Sequence, residues 1–588
     1  MFALIGVLGI GAQWAAWWLR MPAIVLMLVA GLLAGPVSGV LDPSETLGDL
    51  FRPVVAVAVA VILFEGGLTL NFRDLREAGP MVRRLIFPAA PLAWILAGLA
   101  AHYGAGLSIA TSAVLGGILI VTGPTVITPL LRQARLASRP ANALRWEAIV
   151  NDPVGALAAV LAFEAIAAIN GHGTLAAAMW HLAYGVVFAG ISGVLAGRLT
   201  VFAFLRGYAP EYMKVPVLFG LVLLVYAVTD LVLHESGLLA VTAMGLVLAN
   251  AHLPSLTELR RFKEHATIIL VSGVFIILAA SLEREMLMAL DLRALIFVAL
   301  ILFVVRPLAV LISLIGTGIP LNEKLIVAWI GPRGVVAVAV SGLFASRLAD
   351  LGVPDAAMLG PLAFAIVAAT VLLHGFTISP LARMLGLTSS RPPGVLIAGA
   401  SNWSVALASE LEAGGLPVLV IDRNFANLRA ARQAGLSVFH GEILSEAAEH
   451  SVAMSAYGHL LTATYDDAYN TLICTDFGPE FGRSNVYQVG RHEAGEGDRD
   501  MPNTLGGRSF GASLSYSEFD RKLGDGWRFV RTGLSDEYDF DAYLSDRKDA
   551  AIIGVIRRNG HLEMATGKDV PTAQSGDTIL ALVHRTTG

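Results

Sequence analysis

The sequence predicts a polytopic α-helical membrane protein followed by a Rossmann-like α/β domain, and three observations carry that prediction. Of 588 residues, 55% are hydrophobic and only 15% are charged, with a mean hydropathy of +0.68, far from the values of a soluble globular chain. Apolar runs of roughly 17 to 25 residues, the length that spans a hydrocarbon core, follow one another as far as Leu387 and then stop. Beyond Arg391 the pattern changes to short β-branched runs alternating with turns and helical stretches, the signature of βαβ units.

The apolar part divides into about thirteen spans, near 2–19, 22–40, 53–70, 84–101, 108–131, 146–169, 175–200, 215–233, 236–251, 266–282, 294–315, 324–346 and 358–382. Met1 to Trp18 has no positively charged leader, and no small-residue cleavage pattern precedes Arg20. It is expected as a first membrane helix and not a signal peptide. One connection carries Arg73, Arg76, Arg83 and Arg84, a second Arg132, Arg135, Arg139 and Arg145, and a third Arg260, Arg261 and Lys263. The positive-inside rule puts these loops in the cytoplasm, whereas Asp42 to Asp49 and Asn170 to Thr174 are acidic or uncharged. An odd number of spans in a cell inner membrane then places the N-terminus outside and the α/β part in the cytoplasm. The single cysteine, Cys474, excludes an intramolecular disulfide and fits a reducing compartment. A net charge of −5 singles out no partner, and no basic stripe interleaved with aromatics points to nucleic acid.

Two spans are interrupted alike, by Gly123-Pro124 in Ile120-Val-Thr-Gly-Pro-Thr-Val-Ile and by Gly331-Pro332 in Trp329-Ile-Gly-Pro-Arg-Gly-Val-Val. Gly-Pro breaks the helical hydrogen-bond ladder, and freed backbone groups at membrane depth are tolerated only where they line a cavity or are buried in protein. Paired breaks in corresponding positions of two halves point to the midplane site of an inverted-repeat transporter.

Deep ionisable residues are few: Glu65, Glu147, Asp152, Arg306 and Arg333. Left unpaired, they would cost on the order of 15 kcal/mol together, so they must pair or meet water. Glu147 and Asn151 share one helix face, and Asp152 is turned about 100° from Asn151. That helix can hold a structural pair on one side and present Asp152 to a cavity on another. Hard monovalent cations take oxygen ligands. A carboxylate in apolar surroundings holds its proton more readily than in water, so one aspartate can carry either a proton or a monovalent cation.

Glu147-Ala-Ile-Val-Asn-Asp-Pro-Val-Gly, Leu63-Phe-Glu-Gly-Gly-Leu, Tyr226 through His234-Glu-Ser-Gly-Leu-Leu-Ala, and Gly331-Pro-Arg-Gly-Val-Val-Ala occur in one order along the apolar part. Together they resemble the monovalent cation:proton antiporter-1 family. The resemblance implies thirteen helices in two inverted repeats, a homodimer, and elevator-like movement of a core against a dimerisation domain. It implies exchange of K⁺ or Na⁺ for H⁺ with Asp152 as the exchange carboxylate. Asn151, where electrogenic relatives have a second aspartate, implies electroneutral exchange. Glu65 and the Thr122 carbonyl would be accessory ligands, and Glu147 with Arg306 a structural ion pair, with Arg333 among the structural charges. The chain departs from the family pattern at Gly123, where an aspartate is usual, so Arg333 is expected to face helix-end carbonyls instead. A second departure is Ala148, where a serine is frequent.

Behind the membrane part, Gly394-Val-Leu-Ile-Ala-Gly-Ala-Ser-Asn-Trp-Ser reads as a buried strand, a turn and a helix, and Val418-Leu-Val-Ile-Asp as a second strand ending at Asp422. That is the spacing of a nucleotide-binding βαβ unit, with Gly399 as its first glycine and Ser401 and Ser404 where two more would stand. Residues 394–490 resemble RCK (TrkA-N-like) regulatory domains. Residues 491–526 read as an irregular connection, and 527–588, with Ala551-Ile-Ile-Gly-Val-Ile and Pro571 to Gly576-Asp-Thr-Ile-Leu, resemble the β-rich TrkA-C-like companion. The resemblance implies a regulatory nucleotide, NAD(H), an adenine nucleotide or a cyclic dinucleotide, near Gly399, Ser401 and Asp422. An RCK-gated channel would be expected to carry a Thr-Val-Gly-Tyr-Gly filter, which the sequence lacks. A membrane sensor that transports nothing would leave the buried charges without a task.

Overall fold

The computed structural model describes residues 1–588 except 20, 73–74, 135, 172–173, 252–255, 283, 285–290, 389–393, 446–447, 449–455, 491–504, 568 and 585–588. Of the orientation-setting arginines, Arg73 and Arg135 therefore lie outside the described residues. The chain forms two compact units, Met1–Thr388 and Ser389–Gly588.

The first unit is helical throughout. In order it runs α1 (Phe2–Leu19), α2 (Ala23–Leu32), α3 (Phe51–Leu68), α4 (Leu75–Arg84), α5 (Ala90–Tyr103), α6 (Ile109–Ile118), α7 (Pro124–Ala134) and α8 (Ser138–Ile169). It continues with α9 (Leu175–Leu205), α10 (Glu211–Val232), α11 (Ser236–Ala249), α12 (Leu256–Ala280), α13 (Leu292–Leu300), α14 (Arg306–Ser313), α15 (Leu321–Trp329), α16 (Val335–Asp350) and α17 (Leu359–Met384). Among the described residues, eight helical stretches are long and apolar enough to cross a membrane, with shorter apolar helices between them. Wide turns at Leu33–Val37, Leu85–Ala89 and Ile301–Val305 hold or adjoin Pro36, Pro88 and Pro307. A proline removes an amide donor and crowds the preceding turn, which widens the helix locally. Large side chains on α1 and α9, among them Trp17 and Trp180, stay exposed on the outer surface, as expected where lipid and not water is the solvent.

The second unit is built on a six-stranded parallel sheet of β1 (Gly394–Ala398), β2 (Val418–Asp422), β3 (Ser437–His440), β4 (Tyr457–Thr462), β5 (Val486–Gln488) and β6 (Arg508–Ser509), in the order β3-β2-β1-β4-β5-β6. Every residue of β1 is buried, which is why its sequence is a continuous apolar run and not an alternating one. Helices α18 (Asn402–Ala413), α19 (Leu428–Gln433) and α20 (Asp467–Phe481) connect the strands. A four-stranded antiparallel sheet of β7 (Trp527–Gly533), β8 (Ala551–Ile556), β9 (Leu562–Met564) and β10 (Thr578–His584) follows, in the order β7-β10-β8-β9.

The boundaries expected here need correction. The stretch 491–526 is not an irregular connection in its described part: β6 extends the parallel sheet, and helix α21 (Tyr516–Gly524) follows it. The Rossmann-like part therefore runs past residue 490. The reason is aromatic burial. Trp403 of α18 is fully buried, with the Phe519 ring stacked at 4.5 Å and Phe510 at 6.4 Å, contacts that bury far more area than a polar linker would. Residues 527–588 share that core through Phe529, Ile553 and Leu580.

Candidate functional site

Both expected interruptions are present, and they meet. Helix α6 stops at Ile118 and α7 begins at Pro124, while α15 stops at Trp329 and α16 begins at Val335. Pro124 suits a first helical position, where its missing N–H leaves no bond unmade. The Gly123 N–H donates to the Pro332 carbonyl at 3.0 Å. A Cβ on Gly123 would stand 2.5 Å from Gly334 Cα, and one on Gly334 2.6 Å from Gly123 Cα, so the two extended segments cross at backbone distance.

Each half-helix that ends at the crossing leaves carbonyls unpaired, with a partial negative charge. Each is met by a buried arginine. The Arg333 guanidinium donates through Nη1 to the carbonyls of Ile120 at 3.2 Å and Val121 at 2.7 Å. Arg306 Nη2 donates to Val327 O at 3.1 Å and Ile330 O at 2.8 Å. Arg306 also holds Glu147, with Nη2 to Oε2 at 2.9 Å and a second bond from Nη1 to Oε1. Glu147 is 2% and Arg306 8% exposed, so this is a two-pronged ion pair inside the helical unit. Arg333 is not a member of it. Among the described residues its guanidinium donates to the α6-end carbonyls, because Gly123 supplies no carboxylate at the crossing.

Asp152 has no accessible surface, and neither carboxylate oxygen has a hydrogen-bond partner among the described residues. Asn151 Oδ1 and the Thr122 hydroxyl are likewise buried and, among the described residues, unpartnered. An unmet buried polar group costs several kcal/mol, so oxygens left in this state call for an explanation beyond packing. Packing places them around the crossing. Gly155, one turn beyond Asp152 on the same face of α8, abuts Val121, whose amide nitrogen would lie 2.8 Å from a Cβ there. Gly66 of α3 faces Ile149 of α8 and Pro124 of α7, which brings half-buried Glu65 beside the same junction. The arrangement offers oxygen donors and a carboxylate free to take a proton or a hard cation, next to backbone kept open by helix ends.

Two residues of this neighbourhood were not anticipated. Thr370 Oγ1 accepts from the Arg333 N–H at 3.1 Å. His374, one turn on in α17, is 2% exposed, with its ring centroid 6.3 Å from that of Trp329. A histidine inside an apolar span is itself a signal, and it went unused because a lone histidine has no spacing to read.

In the second unit, Gly399, Ser401 and Asp422 come together at a cavity of about 350 Å³ lined also by Asn424, Asn427 and Tyr516. Asp422 Oδ2 accepts from Ala400 N–H at 2.8 Å and Oδ1 from Asn424 N–H at 2.7 Å. Cys474 is buried beside Thr462, and burial pushes its thiol up to about 11, which leaves it unreactive at neutral pH.

Residues 3–384 match the family model described as sodium/hydrogen exchanger, transmembrane, and residues 395–483 match the TrkA-N domain. The K(+)/H(+) antiporter NhaP of Alkalimonas amylolytica is 30% identical over 419 residues, covering 68% of this chain and 69% of that protein. The Na(+)/H(+) antiporter 1 of Methanocaldococcus jannaschii is 26% identical over 334 residues, 55% of this chain and 77% of that one. Among solved structures, the sodium proton antiporter MjNhaP1 from the same archaeon superposes with a TM-score of 0.59 at 23% identity, covering 65% of this chain and 97% of its own. That likeness is one of fold. The family model alone covers well over half of the chain, across both helix breaks and the Asp152 helix, and its members are transporters and not enzymes: the chain belongs to the sodium/hydrogen exchanger family.

Proposed function

We propose that the protein exchanges a monovalent cation, K⁺ in preference to Na⁺, for a proton at Asp152, one for one. The observation that carries this reading is the buried Asp152 carboxylate with no hydrogen bond on either oxygen from the described residues. A proton and a monovalent cation leave the same net charge on that group, so their competition for it is an electroneutral exchange. Coupling is obligatory if only the loaded carrier changes its facing. Asn151, Thr122 and Glu65 supply further oxygens, while the Glu147–Arg306 pair and Arg333 hold the helix ends in place. The reading extends to thirteen spans in two inverted repeats, a homodimer in the plasma membrane, an external N-terminus and a cytoplasmic α/β unit. In that unit a ligand with an adenosine part, held at Asp422 beside Gly399 and Ser401, biases transport. The TrkA-N likeness of residues 395–483 supports the last point. The name of the relative from Alkalimonas amylolytica supports potassium.

Reconstituted protein driven by a pH gradient, with each cation in turn, tests the reading. The half-saturating K⁺ concentration should rise about tenfold for each pH unit of acidification below the site's own pKa, as a competing proton demands, and the rate should ignore an imposed membrane potential. A half-saturating concentration independent of pH, or a rate that follows the potential, would contradict it.

A further inference from the structure

The cavity of the α/β unit lies at the ends of β1, β2 and β4, where the strand order reverses and where open α/β sheets take ligands. In a dinucleotide site the β1–helix turn offers backbone amides to the pyrophosphate. Here three such amides are satisfied from within the chain. Ala400 N–H donates to Asp422 Oδ2 at 2.8 Å, Ser401 N–H to Ser404 Oγ at 2.8 Å, and Ser404 N–H to Ser401 Oγ at 3.2 Å. Ser404 is fully buried and donates in turn to Gly399 O at 2.8 Å, filling the ground a third glycine would leave open. Gly399 itself, at φ +111°, spends its missing Cβ on the chain: a Cβ there would stand 2.7 Å from Ala463 O. A phosphate chain at this turn would also meet half-buried Asp422 and exposed Asp466, which line the same cavity, and like charges repel, the more so at the less exposed of the two.

The cavity offers other chemistry. Asp422 is fixed by Ala400, by Asn424 N–H at 2.7 Å and by Asn427 Nδ2 at 3.3 Å, and a carboxylate has about four acceptor positions, so it can still take a ribose hydroxyl. Tyr465, Tyr469 and Tyr516 supply flat faces, Tyr465 and Tyr516 meeting edge to face at 5.5 Å. The cation of the lining, Arg423, lies over the Tyr469 ring at 5.6 Å.

We propose that this cavity takes a nucleoside, a ribose-bearing ligand without a phosphate chain, with Asp422 on a ribose hydroxyl and the tyrosines beside the base. The proposal rests on the reading of this unit as the sensor of an adenosine-containing ligand. Titration calorimetry of the full-length protein in detergent with adenosine, AMP, ADP and NADH tests it. Adenosine should bind at least tenfold more tightly than ADP or NADH, and Asp422→Ala should remove that binding. Ser401→Gly with Ser404→Gly, which unseals the turn, should narrow the gap by raising affinity for ADP and NADH. ADP or NADH binding as tightly as adenosine to the unmodified protein would overturn the nucleoside assignment and leave the sensor reading standing. Silence with all four would overturn both, and adenosine binding unchanged by Asp422→Ala would overturn the role of that carboxylate.

Discussion

Glu147 and Asp152 sit on one helix, a little over a turn apart, and differ in what meets them. The first is gripped by Arg306 at both oxygens, and the second by none of the described residues. A partner makes a carboxylate structural, and its absence leaves one available for exchange. Breaking the pair from one side strands a charge and should cost about 3–5 kcal/mol. In a double-mutant cycle on thermal stability, Glu147→Gln and Arg306→Gln are expected to be strongly non-additive, and additivity would mean that the two side chains do not interact. The crossing gives a second expectation. Gly123→Ala puts a methyl 2.5 Å from the Gly334 backbone, with no flexible side chain to give way. Overpacking of this kind costs about 1–3 kcal/mol and should slow exchange, whereas Gly342→Ala, with nothing within 4 Å of its added Cβ, should do neither. Equal melting temperatures for the two variants would refute the close crossing.

Among elements, the two broken helices were readable in the sequence because Gly-Pro cannot continue a helix, and the deep charges because they are rare in apolar runs. Glu147 opposite Arg306 and helix-end carbonyls opposite Arg333 were expected, but which carbonyls meet each arginine was not readable. That Arg306 would take both a carboxylate and the α15-end carbonyls, and Arg333 the α6-end carbonyls, depends on contacts between segments up to 213 residues apart. The two-residue strand β6 is too short to show a period, whereas α21 does carry signals that went unread beside a Gly- and charge-rich run: Ser515 and Glu518 form a capping box, and Tyr516, Phe519 and Leu523 are spaced as one helix face. The parallel sheet also makes a prediction about acid. His459 of β4 is buried with an Nδ1 unpartnered among the described residues, and burial, with His561 nearby, pushes its pKa from 6.5 down to about 4. The unfolded chain binds the proton more readily, so this contribution to stability is fully present above pH 6.5 and is lost as pH falls from there towards 4. In the full-length protein, His459→Leu should flatten the fall in the melting temperature of this unit over that window. An unchanged slope would show that His459 does not titrate on unfolding.

At the scale of the molecule, the last residues of the helical unit are tied to its working parts. Ala137 N–H donates to Leu387 O at 2.8 Å, Leu136 bridges Thr388, and Asn322 Nδ2 donates to Leu385 O at 3.2 Å. The chain thus leaves this unit fastened beside α7, α8 and α15, which flank the crossing. A ligand of the α/β unit can bias transport only if it binds two conformations with different affinity. Ending the chain at Arg391 should keep exchange but change its rate or pH profile, and an unchanged profile would assign the tail to assembly and not to control. The central claim is that a single carboxylate carries both ions. Its most direct test is the flux of Asp152→Asn in proteoliposomes across the whole pH range, beside Asp152→Glu and the unmodified protein. An amide cannot alternate between proton and cation, so Asp152→Asn should insert normally and exchange nothing at any pH, while Asp152→Glu keeps measurable, shifted activity. Cation-dependent proton flux through Asp152→Asn at any pH would contradict the account.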